Sequence, residues 1–214
     1  MKKSVYSLVL MDEVIKAVDR QAYRLGTSRS NLINQILAEH LSCITPEMRM
    51  REIFSSISRM LDADFQLMQQ RSESLMTLKT ALEYKYRPTV NYKVELSRSP
   101  DKYLGTLRVQ IRTQNASLIS LFNNFFAYWI NMETELLRQL GCEDYACELS
   151  SGCFMRKLLS YGAIPDECLG EAIYSYISLL DKSIKTYLSA PNEFEAVSGK
   201  LQFEYISQLK KYVL

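Results

Sequence analysis

The sequence predicts a mainly α-helical protein with a small β content. Three observations indicate this fold class. The 214 residues include only 7 Gly and 5 Pro, which favours long helices over a turn-rich all-β fold. Apolar residues recur at helical spacing along most of the chain. Strand-like patterns are confined to residues 4–10 and about 89–113, and the second region predicts one β-hairpin within an α+β C-terminal domain.

Composition excludes several classes of protein. Hydrophobic residues make up 47% and charged residues 23%, as in globular proteins, which excludes a disordered or fibrous chain. No apolar stretch is long enough for a signal peptide or a membrane helix, so we expect a cytoplasmic protein without a membrane partner. The 5 Cys are odd in number and irregularly spaced, so we expect reduced thiols and no metal site.

Charge is distributed unevenly along the chain, although the net charge is only +2. Residues 85–112 hold 7 Lys+Arg against 2 Asp+Glu, whereas residues 113–214 hold 8 against 12. This asymmetry is compatible with a nucleic acid contact at one place and a protein contact elsewhere.

The first 42 residues combine a predicted strand with two predicted helices. Ser4–Leu10 is rich in β-forming residues and predicts the strand. Apolar residues at helical spacing then predict one helix that ends at Gly26 and a second that is capped by Ser28. One strand and two short helices cannot bury a core alone, so we expect a twofold dimer in which Ser4–Leu10 pairs with its own copy.

Three stretches in this region carry a family resemblance. They read Leu10-Met11-Asp12-Glu13, Val18-Asp19-Arg20-Gln21-Ala22 and Gly26-Thr27-Ser28-Arg29-Ser30, with Leu32, Ile33 and Leu37 beyond. The ordered set resembles the ribbon-helix-helix DNA-binding family over about residues 2–42. The resemblance implies an N-terminal ribbon-helix-helix dimerisation domain whose paired strands enter the major groove of double-stranded DNA.

The resemblance also implies roles for individual residues. Strand residues that face away from the core would touch base edges, lysines before them would attract the DNA backbone, and the start of the second helix would approach a phosphate. The DNA-binding residues expected on this basis are Lys2, Lys3, Val5, Ser7, Val9, Thr27, Ser28, Arg29 and Ser30. Two valines and a serine provide no bidentate base reader, so either lysines and indirect readout supply the specificity or the ribbon mainly dimerises.

A long helix is predicted to link the first domain to the rest of the chain. Thr45-Pro46-Glu47 is typical of a helix start, and a helical pattern continues to about Tyr84. Apolar residues at alternating four- and three-residue spacing indicate either a dimeric coiled coil or a long helix packed on its own C-terminal domain. The predicted domains are therefore 1–43, 44–86 and 87–214.

The C-terminal domain is predicted to begin with a basic hairpin. Alternation in residues 90–97 and 106–112 places Lys93, Arg108 and Arg112 on its polar face. These residues form either a second nucleic-acid face or a solvated surface, and like charges on neighbouring strands would favour an acidic partner.

The remainder of the C-terminal domain is predicted to be helical. Residues 117–140 are apolar on every face, which indicates a central buried helix, an oligomer interface or the wall of an apolar pocket. Helices are also expected at 143–150, 153–161, 165–190 and about 193–212.

The motifs of common enzymes are not present in the sequence, so we expect no catalytic activity and no cofactor. The sequence favours a dimeric, sequence-specific DNA-binding transcriptional regulator, expected to be a repressor, with a C-terminal domain for oligomerisation or effector sensing. The alternative is a plasmid partition or relaxosome accessory protein, or another interaction module, whose ribbon mainly dimerises. The expected partners are double-stranded DNA, a second copy or a higher even oligomer, and an effector or protein partner on the C-terminal domain.

Overall fold

The computed structural model describes residues 5, 7–69, 72–160, 164–191 and 194–214. The chain forms two compact units, Met1–Arg49 (the N-terminal unit) and Met50–Leu214 (the C-terminal unit). The helices of the described residues are α1 Asp12–Arg24, α2 Arg29–His40, α3 Pro46–Met60, α4 Ala116–Gln139, α5 Asp166–Ser189 and α6 Phe194–Leu209. The strands are β1 Gln66–Leu67, β2 Leu75–Ala81, β3 Thr89–Leu96, β4 Tyr103–Arg112, β5 Cys147–Ser150 and β6 Cys153–Leu159.

The helix boundaries expected in the N-terminal unit are confirmed. Gly26 follows α1 with a φ of 62°, a left-handed conformation that glycine adopts without steric cost. The Ser28 side chain caps α2 by accepting a hydrogen bond from the Asn31 N–H at 3.2 Å. Thr45 caps α3 in the same way, because its hydroxyl accepts from the Met48 N–H at 3.1 Å.

The predicted ribbon-helix-helix fold is wrong for this structure. Residues 5 and 7–11 form no strand, and the part of Ser4–Leu10 that includes Ser4 and Tyr6 lies outside the described residues. A β-strand requires a neighbouring strand for its N–H and C=O groups. The six strands of the described chain instead pair with one another in the C-terminal unit, so the sheet lies in the middle of the sequence.

The C-terminal unit contains one six-stranded antiparallel sheet in the order β1-β2-β3-β4-β6-β5. The fold class is therefore corrected from mainly α with a small β content to α+β with an extensive sheet. The expected hairpin is confirmed as β3 and β4, whose register places Lys93 opposite Arg108. Antiparallel neighbours on both sides extend this hairpin into the full sheet.

The long linking helix is also corrected. Helix α3 ends at Met60, and the Asp62 side chain accepts a hydrogen bond from the Asp64 N–H at 3.0 Å, which favours a turn. The following apolar residues form β2, where Met76 and Leu78 are fully buried on one face of the sheet. The spacing of Leu75, Leu78 and Leu82 fits a helical seam, whereas that of Met76 and Leu78 fits a strand, and pairing with β3 decides the outcome. No coiled coil is formed by these residues.

Two further helix predictions are wrong. Residues 143–150 and 153–161 were expected to be short helices, but the structure shows the hairpin β5–β6 over 147–159. Phe154, Arg156 and Leu158 alternate into the core on β6. Because Arg156 occupies one of these core positions, the apolar alternation that identifies a buried strand is interrupted in the sequence.

Helices α4, α5 and α6 supply much of the core against one face of the sheet. The predicted helix at 117–140 is confirmed as α4, and Phe125 and Trp129 are completely buried among other aromatic rings. The Phe126 ring stacks on Phe154 of β6 at a centroid distance of 4.4 Å. On β2, β3, β4 and β6 the side chains that point to the other face of the sheet are partly or fully exposed. That second face is therefore open.

Candidate nucleic-acid interface

The open face of the sheet carries polar and basic side chains in rows that cross the strands. In one row the strand register places Thr77, Lys93, Arg108 and Met155 directly opposite one another. A neighbouring row aligns Lys79, Asn91, Gln110 and Cys153. We name Lys93, Arg108 and Arg112 the basic face, because these cations project from the central strands β3 and β4.

The pairing of Lys93 with Arg108 is electrostatically unfavourable. Directly opposed residues in an antiparallel sheet have Cβ atoms roughly 5 Å apart, and like charges at that distance repel. Lys93, Arg108 and Arg112 form no salt bridge with any acidic side chain that the structure describes. Arg108 instead contacts the Met155 sulfur through Nη2 at 3.6 Å. An external anion would relieve this repulsion.

A groove of about 490 Å³ runs over the basic face. Besides the three cations, Thr77, Asn91 and Gln110 line it with a hydroxyl and two amides that can donate hydrogen bonds. None of the described residues that line this groove is aromatic, so it offers no ring on which a base could stack. The lining therefore suits phosphate and sugar oxygens better than exposed bases.

The other expected DNA-binding residues lie in the N-terminal unit. Thr27, Ser28, Arg29 and Ser30 are together at the start of α2, as the sequence predicts. The Arg29 guanidinium makes two hydrogen bonds to the Asp19 carboxylate of α1, at 2.6 and 2.7 Å. The side chains of Arg29 and Asp19 are 57% and 43% exposed, so the net stabilisation of the pair is small and a phosphate could compete for Arg29.

The residues expected to read bases are not positioned by a sheet. Val5 and Val9 are completely exposed, and Ser7 is also exposed. Their expected base-reading role was implied by a paired ribbon, which these residues do not form in this structure. Lys2 and Lys3 lie outside the described residues.

Sequence reasoning missed the polar residues that complete the groove. Thr77 belongs to β2, which the helical interpretation includes in the linking helix, so its place beside Lys93 is not predicted. The alternation places Asn91 and Gln110 on the polar face of the hairpin, but their register as direct neighbours is given only by the structure. The signal that could have found Thr77 is the alternation of Met76, Leu78 and Thr80 with more polar residues.

The described residues include no group of three or more His, Cys, Asp or Glu side chains placed to hold a metal ion. None of the helices in the described part of the chain combines the length and the apolar character that crossing a membrane requires. Comparisons of the chain with known protein families, with curated proteins and with solved structures find no match.

Proposed function

We propose that this protein is a homodimeric DNA-binding regulator of transcription that contacts the phosphate backbone of double-stranded DNA through its basic face. The observation that carries the proposal is the direct opposition of Lys93 and Arg108 in a groove, without a described acidic partner for either. Cations in such a position gain from a polyanion, because it removes their mutual repulsion and releases condensed counterions from the DNA. The amides and hydroxyl beside them would position the backbone.

Self-association is supported by the surface of the N-terminal unit. The apolar core cluster of this unit consists of Val18, Ala22 and Leu32, with Ile33 packed against it, which is little for an independent fold. Meanwhile Ile36, Leu37, Leu41 and Ile44 are among the large apolar side chains that the unit exposes. A second copy of the chain carries the same exposed apolar surface, so two copies can cover it in a symmetric dimer. Such a dimer would present two basic faces to one DNA duplex.

The DNA contact is tested with the double variant Lys93→Ala, Arg108→Ala. We expect its affinity for a labelled duplex to fall about tenfold in fluorescence anisotropy titrations, and the salt slope of log K to decrease by about 2. The matched control is Arg138→Ala, Lys182→Ala, which removes two exposed cations from the helices and should change both quantities much less. Equal losses of DNA affinity and of salt slope in the two double variants would contradict the basic face as the binding surface.

Oligomeric state is tested with the double variant Ile36→Glu, Leu41→Glu. Both side chains are about half exposed, at 49% and 65%, so their replacement should leave the chain folded while placing charge in the proposed interface. We expect sedimentation to show a dimer for the original protein and a monomer for this variant. Phe203→Glu on α6, at a 70% exposed position, is the control and should remain dimeric. A monomeric original protein would contradict the homodimer.

The second candidate function is an accessory or interaction module, and the exposed apolar surface of the N-terminal unit favours it. The two experiments separate the candidates. A stable dimer that fails to bind duplex DNA at low salt would support the interaction module and contradict the regulator.

A further inference from the structure

A second concave site lies at one end of the sheet, apart from the basic face. This cleft of about 740 Å³, which we name the Lys185 cleft, is lined by residues of β1, β2, the start of β3, the C-terminal end of α5 and the connections α3–β1 and β2–β3. Lys93, Arg108 and Arg112 do not line it. Its volume is in the range of sites that hold small organic ligands.

Lys185 is held in the cleft by a buried carboxylate. Its Nζ lies 2.8 Å from Oδ2 of Asp181, which is 3% exposed. The other oxygen of Asp181 accepts hydrogen bonds from the Thr80 hydroxyl at 2.7 Å and the Tyr92 hydroxyl at 2.8 Å. Burial, together with the neighbouring charge of Asp181, raises the pKa of Tyr92, which keeps its hydroxyl protonated as a donor. The Asp181 network therefore fixes the ammonium group in one place.

The second partner of Lys185 is a very different carboxylate. Asp64 Oδ2 also lies 2.8 Å from Nζ, but the Asp64 side chain is 69% exposed and belongs to the connection between α3 and β1. Because the Asp64 side of this ion pair is open to solvent, the pair contributes less net stability than the buried contact with Asp181. The oxygen of Asp64 thus occupies a position on Lys185 that another anion could take at low cost.

Two more cations and one more carboxylate, that of Glu83, line the same cleft. Lys79 projects from β2 and Arg87 from the β2–β3 connection, and neither forms a salt bridge with an acidic side chain in the described part of the chain. Arg87 and the preceding Tyr86 have φ angles of 42° and 66°, which non-glycine residues rarely adopt. The connection therefore places Arg87 at the cleft in spite of an unfavourable backbone conformation.

We propose that the Lys185 cleft binds a small phosphorylated molecule of nucleotide size, whose phosphate oxygens replace Asp64 on Lys185 and contact Lys79 and Arg87. Three cations from separate elements match a group with several charged oxygens, and Arg in particular binds phosphate through two parallel hydrogen bonds. Tyr84 also lines the cleft and is half-buried, which leaves part of its ring for an aromatic base. A regulator with this site would respond to a phosphorylated metabolite.

The proposal is tested by isothermal titration calorimetry of the full chain with AMP, inorganic phosphate and adenosine. We expect AMP to bind, adenosine to bind at least about tenfold more weakly, and Arg87→Ala to weaken AMP binding about tenfold, because each change removes a charge-assisted contact. We expect Asp64→Asn to strengthen AMP binding, since it removes the competing carboxylate. Such a gain is not expected if the Asp64–Lys185 pair only stabilises the fold.

Control variants separate this site from other surfaces. Asp144→Asn removes an exposed carboxylate that pairs with Lys102 outside the cleft, and it should leave AMP binding unchanged. Arg108→Ala should weaken duplex binding without affecting AMP, so failure of the proposed DNA contact and failure of this proposal are distinguishable. Absence of AMP binding, unchanged affinity in Asp64→Asn, or inorganic phosphate binding as tightly as AMP would each overturn the proposal.

Discussion

Replacing Glu133 by Leu is expected to lower the free energy of unfolding of the C-terminal unit by about 3–5 kcal/mol. Glu133 is completely buried on α4 and accepts hydrogen bonds from three tyrosine hydroxyls. The distances are 2.7 Å from Tyr145, 2.8 Å from Tyr176 and 2.7 Å from Tyr205. Burial is the largest cause of the raised pKa of Tyr176 and Tyr205, so both hydroxyls remain protonated donors. The substitution leaves three hydroxyl donors without their acceptor, and two of them, those of Tyr176 and Tyr205, are buried.

The larger cost comes from Arg156, which is 1% exposed and is the cationic partner of Glu133. Its Nε lies 3.3 Å from Oε2 of Glu133, within ion-pair distance but without a hydrogen bond. The guanidinium also donates to the main-chain oxygen of Leu214 and lies 4.6 Å from the Tyr176 ring centre. Without Glu133 the buried guanidinium would lose its ion-pair partner on α4.

Urea denaturation followed by the fluorescence of Trp129, the one tryptophan in the sequence, measures this loss. The reporter is well placed, since its indole N–H donates to the Tyr176 hydroxyl at 3.2 Å. Glu133→Gln retains an acceptor oxygen and should lose less stability than Glu133→Leu. Adding Arg156→Met to Glu133→Leu should recover part of the loss, because the uncompensated charge is gone. If Glu133→Leu lowers the free energy of unfolding by less than about 1 kcal/mol, the contacts of Glu133 with the three tyrosines and Arg156 contribute little to stability.

Gly105→Ala is expected to destabilise the C-terminal unit by about 3 kcal/mol, through crowding of main-chain atoms. Gly105 lies on β4 opposite Leu96, beside a register shift between β4 and β6. A Cβ atom at this position would lie 2.1 Å from the Glu95 carbonyl oxygen and 3.0 Å from the Leu96 Cα. Both atoms belong to the backbone of β3, so relief requires movement of the paired strands rather than rotation of a side chain.

Gly199→Ala provides the matched control for this substitution. Gly199 lies in α6, and a Cβ atom added there meets nothing within 4 Å. The same chemical change should therefore stabilise the protein by up to about 1 kcal/mol, because alanine favours the helix. Urea midpoints of the two variants should shift in opposite directions. Midpoints that move together would contradict the close approach of β3 and β4.

The candidate sites differ in how far the sequence could predict them. The common face of Lys93, Arg108 and Arg112 follows from alternation alone, because β3 and β4 are adjacent in sequence, whereas the structure decided that Lys93 lies opposite Arg108. The Lys185 cleft was not predicted at all. The Thr80 hydroxyl and the Asp181 carboxylate that position Lys185 are 101 residues apart, and no local pattern connects them.

The sequence by itself determined α1, α2, α4, α5, α6 and the β3–β4 hairpin, as well as the end of α1 at Gly26 and the starts of α2 at Ser28 and α3 at Thr45. Capping hydrogen bonds and side-chain periodicity act over a few residues, so these elements are encoded locally. Only the tertiary structure decided that β2, β5 and β6 are strands and that residues 7–11 are not. A strand is stabilised by hydrogen bonds to a neighbour that can be distant in sequence, and a local pattern does not identify that neighbour.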